Sequence, residues 1–155
     1  MPDYSVRLEG LDRLQRKLGV DFRPTMRGAT LAIAAEIQGK IAPYPPATEA
    51  NSPARERWYE RGYGPRWRTK DGGIAGRKTS QTLGRRWAIA RYGDIGAKLG
   101  SGATYSKFVH SVKDQARFHG ARGWKTDKQA VEIVQRAGTI TQIMRDAVMN
   151  AWKRA

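Results

Sequence analysis

At 155 residues the chain has the length of one domain, enough to bury a core without disulfides or a structural metal. Lys and Arg number 29 against 14 Asp and Glu, and the resulting net charge of +15 points to a polyanion or an acidic protein as neighbour. Without cysteine there is no disulfide framework and no thiolate metal site, and no apolar run is long enough to span a bilayer, so a soluble protein of a reducing cytoplasm is expected, with no membrane partner.

Tyr4, Val6 and Leu8 alternate with Ser5, Arg7 and Glu9, the period of a half-buried strand. Leu11, Leu14 and Leu18 recur at helical spacing and stop at Gly19, which predicts a short amphipathic helix. Residues 21–41 carry the clearest helix of the first half: Pro24 fits its first turn, and Met26, Ala29, Ile33, Ile37 and Ile41 line one face. Pro43, Pro45 and Pro46 then prohibit its continuation.

From 47 to 79 the periodicity is lost, and Gly, Pro, Arg and aromatic residues alternate. The segment is expected to form an extended arm or long hairpin inserted in a single 1–155 domain, with a helical turn or two at 55–61 and a turn at Asp71, Gly72 and Gly73. Residues 1–50 carry seven basic and six acidic side chains, 51–91 eleven and three, and 92–155 eleven and five. The middle segment, at +8 and mostly Arg, is therefore the electrostatic feature of the chain.

Leu83, Trp87 and Ile89 open a β-hairpin that turns at Tyr92, Gly93 and Asp94 and returns through Ile95, Ala97 and Leu99. Thr104 is placed to cap a short helix bearing Tyr105, Phe108 and Val109, with Val112 on the next turn, and 112–123 is expected to be irregular. Thr126 or Asp127 starts the longest helix, which runs to the C-terminus. Its stripe is Ile133, Ala137, Ile140, Met144, Ala147 and Ala151, with Gly138 as a point of bending or division. The fold class read from these elements is α+β, a small antiparallel sheet packed on two long helices.

No catalytic constellation stands out. GGIAGRKTS lacks the glycine spacing and the leading strand of a phosphate loop. The two histidines, His110 and His119, flank Asp114 with no carboxylate cluster beside them, so no metal site, cofactor or catalytic residue is expected. A small metal-independent ribonuclease is the enzymatic alternative, with His110 or His119 as general acid or base and Arg117 and Arg122 stabilising the phosphorane-like charge.

The arm interleaves Trp58, Tyr59, Tyr63 and Trp67 with Arg55, Arg57, Arg61, Arg66 and Arg68, and Arg77, Lys78, Arg85 and Arg86 extend the charge. Such a mixture can stack on bases and hold phosphates, or anchor a protein interface. The interface is preferred, because no recognition helix or aromatic sheet platform is apparent. A free nucleic-acid-binding protein is the other alternative. Trp87, Tyr105, Phe108, His110, Phe118 and Trp124 are assigned a structural part, holding the hairpin against the helices.

The order of motifs resembles a known family. Val6, Leu8, Gly10, Leu11, Leu14 and Leu18 match its N-terminal strand and Leu-rich helix, and residues 29–42 with Pro43 match its Ala-rich helix and proline stop. Ser80, Leu83 and Trp87 precede the hairpin, Tyr105, Ser106, Phe108, Val109 and His110 follow it, and the stretch from Gln115 to Trp124 matches a subset of members. The chain thus resembles the tail-completion or minor tail-component proteins of long-tailed double-stranded DNA bacteriophages. One departure is a long basic insertion in place of a short link after the first long helix. The resemblance implies a ring, hexameric in this family, at the neck of the virion, assembled in the host cytoplasm and joining the tail tube to head-closure or adaptor proteins. Basic residues would face double-stranded DNA in the lumen through sequence-independent contacts, and the arm would reach a neighbouring subunit or ring.

Overall fold

A computed structural model of the chain describes residues 4–6, 9–46, 57–60, 64–76 and 83–154. These form a mixed α+β fold of six α-helices and two three-stranded antiparallel sheets. Strand β1 (Tyr4–Val6) is followed by helices α1 (Leu11–Leu18) and α2 (Arg23–Ile41). Gly19, at φ +66°, ends α1 in the left-handed conformation that glycine adopts without steric cost. Leu8 lies outside the described residues.

Helix α2 organises the core. Pro24 occupies its first turn, and the repeat of apolar residues three and four apart buries Met26, Ala29, Ile33, Ile37 and Ile41, as the sequence pattern requires. Phe22, just before the helix, is fully buried as well. Thr30 is a polar residue inside this stripe, and its hydroxyl is satisfied by donating to the Ile95 carbonyl at 2.6 Å.

The first sheet has strand order β1-β6-β5, with β5 (Trp87–Tyr92) and β6 (Gly96–Ser101) forming the expected hairpin. Register sets Trp87 opposite Ser101 and Ile89 opposite Leu99, and β1 places Tyr4 opposite Leu99 on the other edge of β6. Leu83 precedes a 3₁₀ turn (Gly84–Arg86) instead of opening the strand. Helix α2 is tied to both ends of the hairpin: Gln38 Nε2 donates to the Trp87 carbonyl at 3.0 Å, and Arg27 contacts the Asp94 carboxylate at 2.8 Å. Ile33, Ile37 and Ile41 pack with Trp87, Leu99, Ala130 and Val134 into one core cluster, while Phe22, Met26 and Ala29 pack with Ala147 and Ala151 into a second. Each large aliphatic side chain so buried contributes about 1.5–3 kcal/mol.

Two short helices and a divided C-terminal pair refine the sequence reading. Helix α3 (Ser106–His110) starts after Tyr105, with no side-chain cap from Thr104. The stretch expected to be irregular contains α4 (Arg117–Ala121). Thr126 caps α5 (Asp127–Arg136) through a reciprocal capping box with Gln129, and α6 (Thr139–Lys153) follows as a separate helix. Gly138 divides them at φ +71°. A new helix axis re-phases the apolar face, so α5 buries Ala130 and Val134 while Ile133 and Ala137 are exposed.

The second sheet lies within the arm. Strands β2 (Arg57–Glu60), β3 (Gly64–Arg68) and β4 (Ile74–Gly76) form an antiparallel meander in the order β2-β3-β4. Residues 57–60 are therefore strand where helical turns were expected. The reason is pairing to β3, a partner that local propensity does not report. The expected turn is present at residues 70–72, where the Gly72 amide donates to the Thr69 carbonyl at 3.1 Å and φ is +81°.

Candidate functional site

Beneath α3 and α4 lies a layer of aromatic rings. Trp124 packs with Leu83, Ala103 and Val109 in a third core cluster, and Tyr44 meets its ring edge-on at 5.1 Å between centroids. His110 is fully buried between Trp87 and Trp124, with centroid separations of 5.4 Å to each, and His119 approaches Trp124 at 6.1 Å. His110 Nδ1 is 2.7 Å from the Lys125 carbonyl oxygen. A carbonyl can only accept, so Nδ1 carries the proton and Nε2 is the bare nitrogen.

Burial lowers the pKa of His110, because the charged imidazolium would lose its hydration, and the Lys125 carbonyl and Asp127 oppose this only in part. His119 is lowered to about 4 by its own burial, then by the Arg122 and His110 charges. Both rings are neutral near pH 7. The indole of Trp124 meets both imidazoles edge-on; His110 has no exposed surface and His119 is half-buried. Trp87, His110 and Trp124 are buried in this layer.

Tyr105, Phe108 and Phe118 are not: they are 38 %, 48 % and 52 % exposed, because Ser106, Val109 and His110 occupy the inner face of α3 and α4 buries none of its residues. The Ala116 amide donates to the Phe108 carbonyl at 2.9 Å, folding α4 back against α3 so that the two helices form an elbow. Lys107 Nζ sits 4.8 Å from the Phe108 ring centroid and the Arg122 guanidinium 5.4 Å from that of Phe118. Gln115 fixes the elbow from inside, its Nε2 donating to the carbonyls of Val109 (2.7 Å) and Trp124 (3.0 Å). Sequence reading missed this surface, since large aromatic residues suggest a core until the length of the helix is known.

In the arm, register sets Arg57 opposite Trp67 and Trp58 opposite Arg66, with Tyr59 opposite Pro65. Arginine and tryptophan positions therefore alternate across the β2–β3 pair, and directly opposed positions share a face. Arg66 and Trp67 are half-buried, Arg68 is exposed, and Ile74 is 60 % exposed. None of the three core clusters draws on residues 66–76, and the strands of the meander pack chiefly on one another. Arg85 and Arg86 are exposed on the 3₁₀ turn that leads into β5. Arg55, Arg61, Tyr63, Arg77 and Lys78 lie outside the described residues.

Comparison with protein-family models, with characterised proteins and with solved structures found no match to the chain. The functional reading therefore rests on the residues. Among the described residues no three His, Asp or Glu side chains converge as metal ligands. What the geometry offers is contact chemistry: a sheet of alternating guanidinium and indole positions, and an elbow whose exposed rings carry cations.

Proposed function

We propose that the protein is a structural component of a phage virion, a subunit of a homo-oligomeric ring in the neck or tail-completion region that joins the tail tube to the head and lets DNA pass. The observation that carries the reading is the arm: an antiparallel meander of its own, with arginine and aromatic positions opposed across it, whose residues 66–76 take no part in the three core clusters. A segment whose strands pair with one another is suited to reach a neighbouring subunit, and tryptophan and arginine supply much of the binding energy of interfaces. The order of motifs along the chain supports the same reading. In it, Arg85 and Arg86 on the 3₁₀ turn contact phosphates without reading sequence.

The test is the mass of the purified protein in solution, together with its presence in purified particles. A closed ring, found also in the particle and lost when residues 57–76 are replaced by a short Gly-Ser link, is the expected result. A protein that stays monomeric, is absent from particles, and binds nucleic acid with a steep salt dependence would instead be a free nucleic-acid-binding protein.

A further inference from the structure

The elbow of α3 and α4 is a second contact surface, separate from the arm. Phe108, Val112 and Phe118 are each about half exposed, at 48 %, 56 % and 52 %. Single exposed apolar residues are ordinary, but these three belong to one elbow, which the backbone bond from Ala116 to Phe108 folds so that α4 packs on α3. Four cations, Lys107, Lys113, Arg117 and Arg122, belong to the same 106–123 stretch. Its one carboxylate, Asp114, accepts a hydrogen bond from the Ser111 hydroxyl at 3.4 Å. The surface is built on a fixed base, with Trp124, His110 and Gln115 beneath it.

Charge and ring geometry together choose the occupant. The chain's own cations, Lys107 and Arg122, lie over the rings of Phe108 and Phe118, so that one face of each ring is already in contact with a charge. A carboxylate can pair with a cation already seated on a ring while a neighbouring apolar side chain covers the ring edge. We propose that the α3–α4 elbow docks an acidic protein segment in which Asp or Glu alternates with large apolar residues. The inference stands whether or not the arm closes a ring, because it draws on none of the arm's residues.

The experiment uses the full-length protein and fluorescent peptide pools about a dozen residues long, one alternating Glu with Leu, Phe or Trp, the other Glu with Ser. Anisotropy should show the Glu/apolar pool binding at least about tenfold more tightly than the Glu/Ser pool. F108S/F118S should remove that preference while leaving the binding of single-stranded oligothymidine unchanged. K113E/R117E, at exposed positions, should weaken the Glu/apolar pool by at least about tenfold and provides the same readout if the ring variant does not fold. Equal affinity for the two pools, or failure of the Glu/apolar pool to bind, would overturn the proposal. So would oligothymidine losing affinity in step with the peptide in F108S/F118S, which would mark a nucleic-acid surface, or a dimer of the native protein that the same variant abolishes, which would mark a second copy.

Discussion

Replacing His119 by Gln should flatten the acid side of the stability curve. The imidazole pKa falls from an ordinary value of 6.5 to about 4 in the folded state. Below pH 6.5 the unfolded chain therefore binds a proton that the folded chain refuses, and stability falls as pH drops through the window from 6.5 to about 4. Between pH 8 and pH 5 this linkage amounts to about 2 kcal/mol for one fully shielded group. His119 is only half-buried, and solvent screening reduces the figure to about 1 kcal/mol, or about 2–4 °C in the thermal transition. Glutamine keeps a polar side chain against Trp124 and does not titrate. The measurement is urea unfolding of wild type and H119Q at several pH values from 8 to 5, compared as the pH-dependent difference so that any constant packing cost cancels. His110 shifts in the same direction and should leave part of the slope in H119Q. If H119Q loses stability between pH 8 and pH 5 as steeply as wild type, the burial of His119 against Trp124 has been misjudged.

Two glycines should respond in opposite ways to alanine. A Cβ on Gly84 would stand 2.6 Å from the Ala42 carbonyl oxygen, a backbone atom with no easy escape, so G84A should cost about 1–3 kcal/mol in denaturant unfolding. Gly28, exposed within α2 with open space around it, should yield about 0.5–1 kcal/mol of added stability in G28A. T126A removes the hydroxyl that accepts from the Gln129 amide at 3.2 Å and should destabilise by about 1 kcal/mol, with chemical denaturation as the check. Exchanging residues 57–76 for a short Gly-Ser link should move the unfolding free energy of the remainder by less than about 0.5 kcal/mol, because the strands of the meander pair with one another and residues 66–76 take no part in the core clusters.

The parts of this fold that were legible are those set by local rules. Helix α2 could be read because its stripe, its first-turn proline and its proline stop are all adjacent in sequence. The hairpin of β5 and β6 follows from alternation around Gly93, which adopts φ +61° in the turn. The second sheet was hidden because Arg57–Glu60 has no clean alternation, and only pairing to Gly64–Arg68 fixes it as strand. Gly138 was recognised as a point of division, yet the stripe from Ile133 to Ala151 ran straight through it. A stripe presumes one helix axis, and the left-handed glycine supplies two. At the candidate site, the burial of Ser106 and His110 in place of Phe108 depends on the Lys125 carbonyl fifteen residues from His110, a contact that composition and period do not encode.

The placement of the histidines bears on the elbow itself. The chain's only two imidazoles both lie in the layer that supports α3 and α4, so the side chains whose ordinary titration falls between pH 7 and 5 are confined to one region. Helices α2 and α6 are held by Phe22, Met26, Ala29, Ala147 and Ala151, whose burial does not depend on pH. Acid should therefore weaken the elbow before it weakens the main core. Hydrogen exchange at pH 7 and pH 5, corrected for intrinsic rates, should show protection falling at the amides of Ser111, Ala116 and Trp124, which donate to Lys107, Phe108 and His119 carbonyls, while α2 amides change little. Equal loss in both regions would mean that the molecule opens as one unit and that the elbow has no separate stability. Loss in α2 alone would contradict the direction of both histidine shifts.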